Sequence, residues 1–363
     1  MVASASDHLA AGRRVMAAPA TSVTNAPVAA GAAPPSAAAW LRRMLVVFPF
    51  ALGVAAALII YADLGAYLDS LAAFDWYLAP AIVGLVLGSY GLRFLKWHLY
   101  LGLIGARQGL PLRSSGLIFA SGLAMTITPA KSGEWLKSYL LNRANGTPAS
   151  RSIPVIFCER LTDAAALLLL SLVGVAIHAP SYWPLFAVAA SLALLSIAFV
   201  RVRLLANWSV RRAQSLPLVG RLGGYVRESQ ATSYELLALG PTMRALGIAL
   251  LAWTLEAIAW SLVLYGLTGI GGFEAVVKVA LIMGVSLFAG TLSFVPGGLG
   301  VSETGIIALE QVLFEIGRAA AAASAVLIRF FTLWLGVVLG IVALIIVLRD
   351  RRFRTDQSAS AGT

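Results

Sequence analysis

Two apolar stretches of the chain are interrupted by residues that could bind an anion. The first interruption contains Pro129, Lys131, Ser132, Gly133 and Glu134, and the second is the run PGGLGVSE at 296–303. In both, a proline stops a helix and small residues permit unusual backbone conformations. A short helix that restarts after each break would present backbone N–H groups and its positive dipole end to a phosphate. The first break adds the charge of Lys131, whereas the second offers only backbone.

Each broken stretch is followed by an arginine in the next apolar segment. Arg160 lies 26 residues after Glu134, and Arg329 lies 26 residues after Glu303. Broken segments at matching positions of two halves are typical of a transporter site. Each Glu–Arg pair has two interpretations: part of a ligand site, or a buried ion pair that holds the break against the next helix. For the two arginines we expect both roles.

Other charged residues lie within apolar segments, where a charge costs about 2.5–3.5 kcal/mol on insertion scales and usually faces a bundle interior. They are Arg93, Lys96, Glu159, Asp163, Glu256 and Lys278. We expect Glu159 to occupy a solvated or cytoplasm-proximal position, and Lys278 to pair with Glu274 at the outer edge. The predicted substrate-binding residues are Arg93, Lys96, Lys131, Ser132, Gly133, Glu134, Lys137, Arg160, Asp163, Gly297, Gly298, Gly300, Glu303 and Arg329.

The composition excludes most other classes of protein. Hydrophobic residues make up 60% of the chain and charged residues only 12%, whereas about 25% of a soluble protein is charged. The three histidines and the single cysteine, Cys158, show no metal-ligand spacing, and Cys158 is interpreted as a small packing residue. No catalytic or cofactor motif occurs in a suitable context. We therefore predict no catalytic residue, no metal and no cofactor.

Eight apolar segments position these residues. They cover about 44–62, 76–104, 114–129, 153–178, 185–200, 242–268, 275–295 and 319–348. Two shorter pieces, about 132–142 and 300–316, follow the breaks and fall below the roughly 20 residues that cross a bilayer. The chain is therefore predicted to be an all-α polytopic membrane protein with about six full transmembrane helices and two re-entrant helical hairpins.

Loop charge predicts the sidedness of these segments, because Lys and Arg concentrate on the cytoplasmic side. Arginines precede the first segment and follow the last one, so both termini are predicted to be cytoplasmic. The loop that carries Asp63, Asp69 and Asp75 has no Lys or Arg and is predicted to be outside. On this scheme the first hairpin enters from the cytoplasm and the second from outside, which is an inverted repeat. Two full spans would give the same sidedness, so only segment length favours the hairpins.

The predicted organisation is one membrane domain with two tails. Residues 1–39 are rich in Ala, Pro, Ser and Thr and are predicted to be disordered, and residues 351–363 form a cytoplasmic tail. The transmembrane domain covers 40–350, with a first half at about 76–178, a second half at about 242–348 and a cytoplasmic linker at 201–240. The net charge is +11, and the basic residues that produce it flank the apolar segments. This arrangement suits topology signals and anionic lipid rather than nucleic acid.

Four motifs, in order, resemble the flippase-like transmembrane domain of lysylphosphatidylglycerol synthases and their stand-alone relatives. The motifs are Gly133-Glu134-x-x-Lys137, Glu159-Arg160-x-x-Asp163, Pro296-Gly297-Gly298-x-Gly300-x-x-Glu303, and Arg329. Lys137 stands where the family more often has arginine, which keeps the charge but not planar bidentate binding. The resemblance implies movement of lipids or lipid-linked molecules between leaflets. Lysyl transfer is not expected, because the soluble domain of the synthases is absent from this sequence.

We therefore expect a translocase of the cytoplasmic (inner) membrane, not an enzyme, that moves an anionic lipid or lipid-linked molecule. One alternative is a non-catalytic accessory subunit of a lipid or glycan biosynthetic enzyme. Another is a membrane enzyme that acts on a lipid phosphate with Glu134 and Glu303 as acid and base, although no nucleophile or metal set supports it. The expected partners are membrane phospholipids or a lipid-linked substrate, together with such an enzyme in the accessory case.

Overall fold

The computed structural model describes residues 60–128, 134–178 and 223–350, together with isolated positions elsewhere. Within these ranges the regular structure is helical and no strand occurs, which confirms the predicted all-α class. The helices are α1 Leu64–Ala73, α2 Ala79–Leu103, α3 Leu112–Ala124, α4 Leu136–Asn145, α5 Ala149–His178, α6 Gly223–Leu236, α7 Leu239–Thr268, α8 Phe273–Leu292, α9 Val301–Phe314, α10 Arg318–Arg329 and α11 Leu335–Arg349.

Five helical stretches of the described chain are long and apolar enough to cross a membrane. They are Trp76–Leu103, Ala149–His178, Leu239–Thr268, Phe273–Leu292 and Arg318–Arg349. The protein is therefore a multi-pass membrane protein. The tail at 1–39, most of the segments predicted at 44–62 and 185–200, and the linker up to residue 222 lie outside the described residues.

Both breaks follow from the same local rule. The residue before a proline avoids the helical conformation and adopts an extended one. Thr128, which precedes Pro129, has a ψ of 152°, and Val295, which precedes Pro296, has a ψ of 138°. The chain resumes as α4 and α9, which pack back against α3 and α8 respectively. We call α3/α4 the first hairpin and α8/α9 the second hairpin.

The hairpins pack against helices of the opposite half. α8 lies along α5, which closes the first half, and α3 lies along α11, which closes the second. Both contacts are close at a glycine: a Cβ atom on Gly174 would lie 2.8 Å from the Val277 carbonyl oxygen, and one on Gly340 would lie 2.2 Å from the Ala124 nitrogen. The opening helices of the two halves, α2 and α7, also pack together. The two halves are thus interlocked.

The two breaks meet inside this bundle. The 3-10 turn Met125–Ile127, at the end of the first hairpin's long arm, contacts the 3-10 turn Pro296–Gly298 of the second break. Ile127 and Leu299 are buried in one apolar cluster with Leu333 and Val337. The residues that flank the two breaks are therefore brought to one region, although they are far apart in the sequence.

Candidate functional site

Eight charged side chains from α2, α5, α7 and the start of the first hairpin's short arm form one network beside the first break. We call it the first-half network. Its cations are Arg93, Lys96, Lys137 and Arg160, and its anions are Glu134, Glu159, Asp163 and Glu256. Four positive and four negative charges compensate each other, which is what allows them to be buried.

Asp163 is the centre of the network. One of its oxygens accepts a hydrogen bond from Lys96, and the other lies 3.3 Å from Arg93 Nη1 and 3.1 Å from Arg160 Nη2. Three cations from two helices thus share one carboxylate. Asp163 was predicted as a binding residue, and the structure buries it inside the network, with 4% of the residue exposed.

Glu159 lies one helical turn before Asp163 on the same face of α5. It is 1% exposed, and its Oε2 atom lies 2.7 Å from Lys137 Nζ. The predicted solvated position for Glu159 is therefore wrong. The short arm of the first hairpin folds back against α5 and brings Lys137 to it, and the ammonium group of Lys137 also lies 4.9 Å from the ring centre of Trp97.

Arg93 joins the two halves of the molecule. Its Nη2 atom lies 2.9 Å from Glu256 Oε1, and its guanidinium carbon lies 4.2 Å from the ring centre of Trp253. Ser89 donates a hydrogen bond of 2.7 Å to the same oxygen of Glu256. Glu256 was not among the predicted binding residues. Its position could have identified it, because Glu256 lies in the opening helix of the second half, just as Arg93 lies in the opening helix of the first half.

The predicted pair of Glu134 and Arg160 is present at the first break. Glu134 Oε2 lies 3.4 Å from Arg160 Nε and 3.7 Å from Lys137 Nζ. The side chain of Arg160 is 35% exposed, whereas every other side chain of the network is 11% exposed or less. Arg160 is thus the most exposed charged group of the first-half network. Lys131, Ser132 and Gly133 lie outside the described residues.

The second-half site consists of Gly297, Gly300, Glu303 and Arg329. Arg329 Nε lies 2.6 Å from Glu303 Oε1, and Arg329 Nη2 donates to the carbonyl of Gly297. The predicted ion pair is therefore confirmed. However, Glu303 Oε2 also accepts a hydrogen bond of 2.6 Å from the N–H of Gly300. The expectation of a free helix start at this break is wrong for that N–H, because the carboxylate of the third helical residue reaches back to the N–H of the N-cap residue, Gly300.

The predicted glycines of the second break are needed for close packing. Gly297, Gly298 and Gly300 have φ angles of 63°, 66° and 85°, a region that favours glycine. A Cβ atom on Gly298 would lie 2.7 Å from the hydroxyl of Ser302, and one on Gly290 of α8 would lie 2.0 Å from the same atom. The second break is thus pressed against its own long arm.

A π-helical turn at Phe330–Trp334 directly follows Arg329. It leaves the carbonyl of Thr332 as an acceptor for the hydroxyl of Tyr90 on α2. Such turns often occur at functional sites. This turn was not predicted from the sequence, since a π turn carries no periodicity of its own that would distinguish it from a helix.

Two peripheral predictions are also confirmed. Lys278 Nζ lies 2.8 Å from Glu274 Oε1, and Cys158 is fully buried as a packing residue. Among the residues that the structure describes, no group of three His, Cys, Asp or Glu side chains is arranged to hold a metal ion.

Residues 47–340 match the family described as the lysylphosphatidylglycerol synthase TM region. The chain belongs to this family. Searches of the curated proteins and of the solved structures each found no match. Membership of the lysylphosphatidylglycerol synthase TM family confirms the resemblance carried by the four motifs, and it indicates a membrane function related to lipids.

Proposed function

We propose that the protein is a lipid translocase of the cytoplasmic membrane that moves an anionic lipid or lipid-linked molecule between leaflets. The observation that carries this proposal is the position of Arg160, which is held by Glu134 and Asp163 beside the first break with 35% of its side chain exposed. A guanidinium has five N–H donors, and these ion pairs involve only Nε and Nη2. Donors therefore remain for a phosphate oxygen.

The hairpins are interpreted as re-entrant arms of an inverted repeat. Their short arms, α4 and α9, have 10 and 14 residues, fewer than the roughly 20 that cross a bilayer. In both halves a long helix comes before the broken hairpin and another long helix follows it. Loop charge supports opposite entry sides for the two hairpins and cytoplasmic positions for both termini. The long arm α8 reaches the length of a full span.

Binding at Arg160 would proceed by exchange of ionic partners. A headgroup phosphate that contacts Arg160 competes with Glu134 for it, and Glu134 keeps Lys137 at 3.7 Å. Asp163 likewise keeps Arg93 and Lys96. No carboxylate of the network is then left as an isolated buried charge, which is the costly outcome for a broken pair. The acyl chains stay in the bilayer, and the contact between the two breaks couples movement of one hairpin to the other.

Lipid exchange by the purified protein tests this function. The wild type is reconstituted into vesicles of phosphatidylethanolamine and phosphatidylglycerol that contain fluorescent phosphatidylglycerol, and exchange between leaflets is followed. We expect the wild type to exceed protein-free vesicles. Arg160→Ala should lower the rate about tenfold or more, since a hydrogen bond to a charged group is worth about 1.5–3 kcal/mol.

The matched control is Arg151→Ala. Arg151 lies on the same helix, α5, and forms a surface pair with Glu228 at 3.4 Å, in which the side chains are 50% and 45% exposed. It should leave exchange unchanged. Equal rates for the wild type and Arg160→Ala contradict the site, and a wild type no faster than empty vesicles contradicts translocation of this lipid. In the second case the accessory role predicts that a lipid or glycan biosynthetic enzyme co-purifies in mild detergent.

A further inference from the structure

Glu310 of α9 is a buried carboxyl group that belongs to neither charged site. The residue is 0% exposed. Its Oε1 atom accepts hydrogen bonds from Trp260 Nε1 of α7 at 2.8 Å and from Ser324 Oγ of α10 at 2.7 Å. Its Oε2 atom is buried without a hydrogen-bond partner among the described residues. Both donors meet Oε1, which fits a protonated carboxyl with Oε1 as the carbonyl oxygen and Oε2 as the hydroxyl.

The other charged groups on the surrounding helices either contact other partners or are exposed. α9 packs against α8 and α10, and α7 reaches Glu310 through Trp260. On α8, Lys278 pairs with Glu274 and lies 5.4 Å from the ring centre of Phe314, one turn beyond Glu310. The remaining charged groups on these helices and their ends are Glu256, paired with Arg93; Arg329, paired with Glu303; Arg318, which lies over the ring of Tyr61; Arg244, which is exposed; and Glu315, which is exposed.

Within the described parts of the chain, Glu310 therefore has no cation at ion-pair distance. This differs from every carboxylate of the first-half network and from Glu303, each of which contacts at least one arginine or lysine. A buried carboxylate without such a partner is much less favourable than a neutral carboxyl.

We propose that Glu310 is a proton-binding site of the second hairpin and that it carries its proton in this arrangement. Release of the proton would leave an uncompensated charge among α7, α9 and α10. α9 must then move away until Oε2 meets water or a cation. Since α9 begins at the second break, proton occupancy is linked to the position of that break. The use of this proton to drive lipid movement rests on the proposed function, whereas proton binding itself does not.

Infrared spectroscopy of the purified protein tests proton binding without any lipid substrate. The carbonyl stretch of a protonated carboxyl should be present in the wild type at neutral pH and absent from Glu310→Gln, which keeps the acceptor for Trp260 and Ser324. Glu315→Gln, an exposed position five residues later on the chain, is the matched control and should retain the band. A wild type without the band, or a Glu310→Gln protein that keeps it, overturns the proposal.

A second measurement follows the consequence for α9. Hydrogen–deuterium exchange, corrected for the intrinsic effect of pH, should show α9 losing protection in the wild type and in Glu315→Gln as the pH rises. In the Glu310→Gln variant α9 should stay protected, because the glutamine side chain is neutral at every pH. If Glu310→Gln does not fold, Trp260→Phe replaces it: loss of the donor to Oε1 should shift the infrared band, and an unchanged band overturns the proposal.

Proteoliposomes with an imposed pH gradient then separate the two proposals. Exchange of fluorescent phosphatidylglycerol should respond to the gradient in the wild type and not in Glu310→Gln. A wild type with exchange that ignores the gradient overturns proton coupling and leaves translocation standing. A wild type without exchange contradicts translocation, and the infrared band still decides whether Glu310 binds a proton.

Discussion

The first-half network and the second-half site share a motif spacing but differ in construction. Beside the first break, eight charges interlock, and the central carboxylate of Asp163 contacts three cations. At the second break, Arg329 and Glu303 pair only with each other among charged groups of the described chain, and backbone atoms of Gly297 and Gly300 take their remaining bonds. The side chain of Arg160 is 35% exposed, whereas the side chain of Arg329 is 11% exposed.

Two sites with the same motif spacing can therefore have different roles. In the first-half network each carboxylate contacting Arg160 has a second cation, so Arg160 can change partners. In the second-half site Glu303 has no substitute for Arg329 among the described residues, so the pair fastens α9 to α10. We therefore interpret the first site as the place where a ligand binds and the second as a lock on the hairpin.

The largest expected effect comes from Asp163→Asn. The amide removes the charge that three cations share, and uncompensated buried charge typically costs about 3–5 kcal/mol. The free energy of unfolding, measured by tryptophan fluorescence in mixed micelles, should fall by the upper end of that range. Arg151→Ala should change it by about 1 kcal/mol or less, as for other surface pairs. A small loss for Asp163→Asn would show that the eight charges do not act as one network.

A direct contrast comes from Arg329→Ala and Arg160→Ala in the same assay. Loss of Arg329 leaves Glu303, 4% exposed, without a cation, and we expect a cost of about 3 kcal/mol. Loss of Arg160 leaves Glu134 with Lys137 and leaves Asp163 with two cations, so about 1 kcal/mol is expected. Equal losses in the two variants would contradict the distinction between a binding site and a lock.

A smaller effect is expected from Gly290→Ala, which tests how tightly the second break is packed. The new methyl group would lie 2.0 Å from the hydroxyl of Ser302, and such overpacking costs about 1–3 kcal/mol. Addition of Ser302→Ala should recover part of the loss. Gly84→Ala on α2 is the control, because a Cβ atom added there would have no other side chain or neighbouring helix within 4 Å. A Gly290→Ala protein as stable as this control would show that the break has room to move.

Much of the fold and part of the site were predictable because their causes are local. Proline and the residue before it stop a helix wherever they occur, so both breaks were located correctly. Apolar length identified four of the five described helices that can cross the membrane as full spans, whereas α8 was predicted to be one arm of a re-entrant hairpin. The repeated spacing of 26 residues identified Glu134 with Arg160 and Glu303 with Arg329, because one helical arm and a turn separate the partners in each half.

Which charges meet across the two halves depends on how distant helices pack. Arg93 and Glu256 are 163 residues apart, and their contact depends on α2 packing against α7. The burial of Glu159 depends on the short arm of the first hairpin bringing Lys137 to it, and the isolation of Glu310 depends on what α7, α8 and α10 place around it. Local sequence sets where each helix begins and ends. The partners of a buried charge are set by packing between elements far apart in the chain. This packing places a branched network of charges beside the first break and a single ion pair at the second.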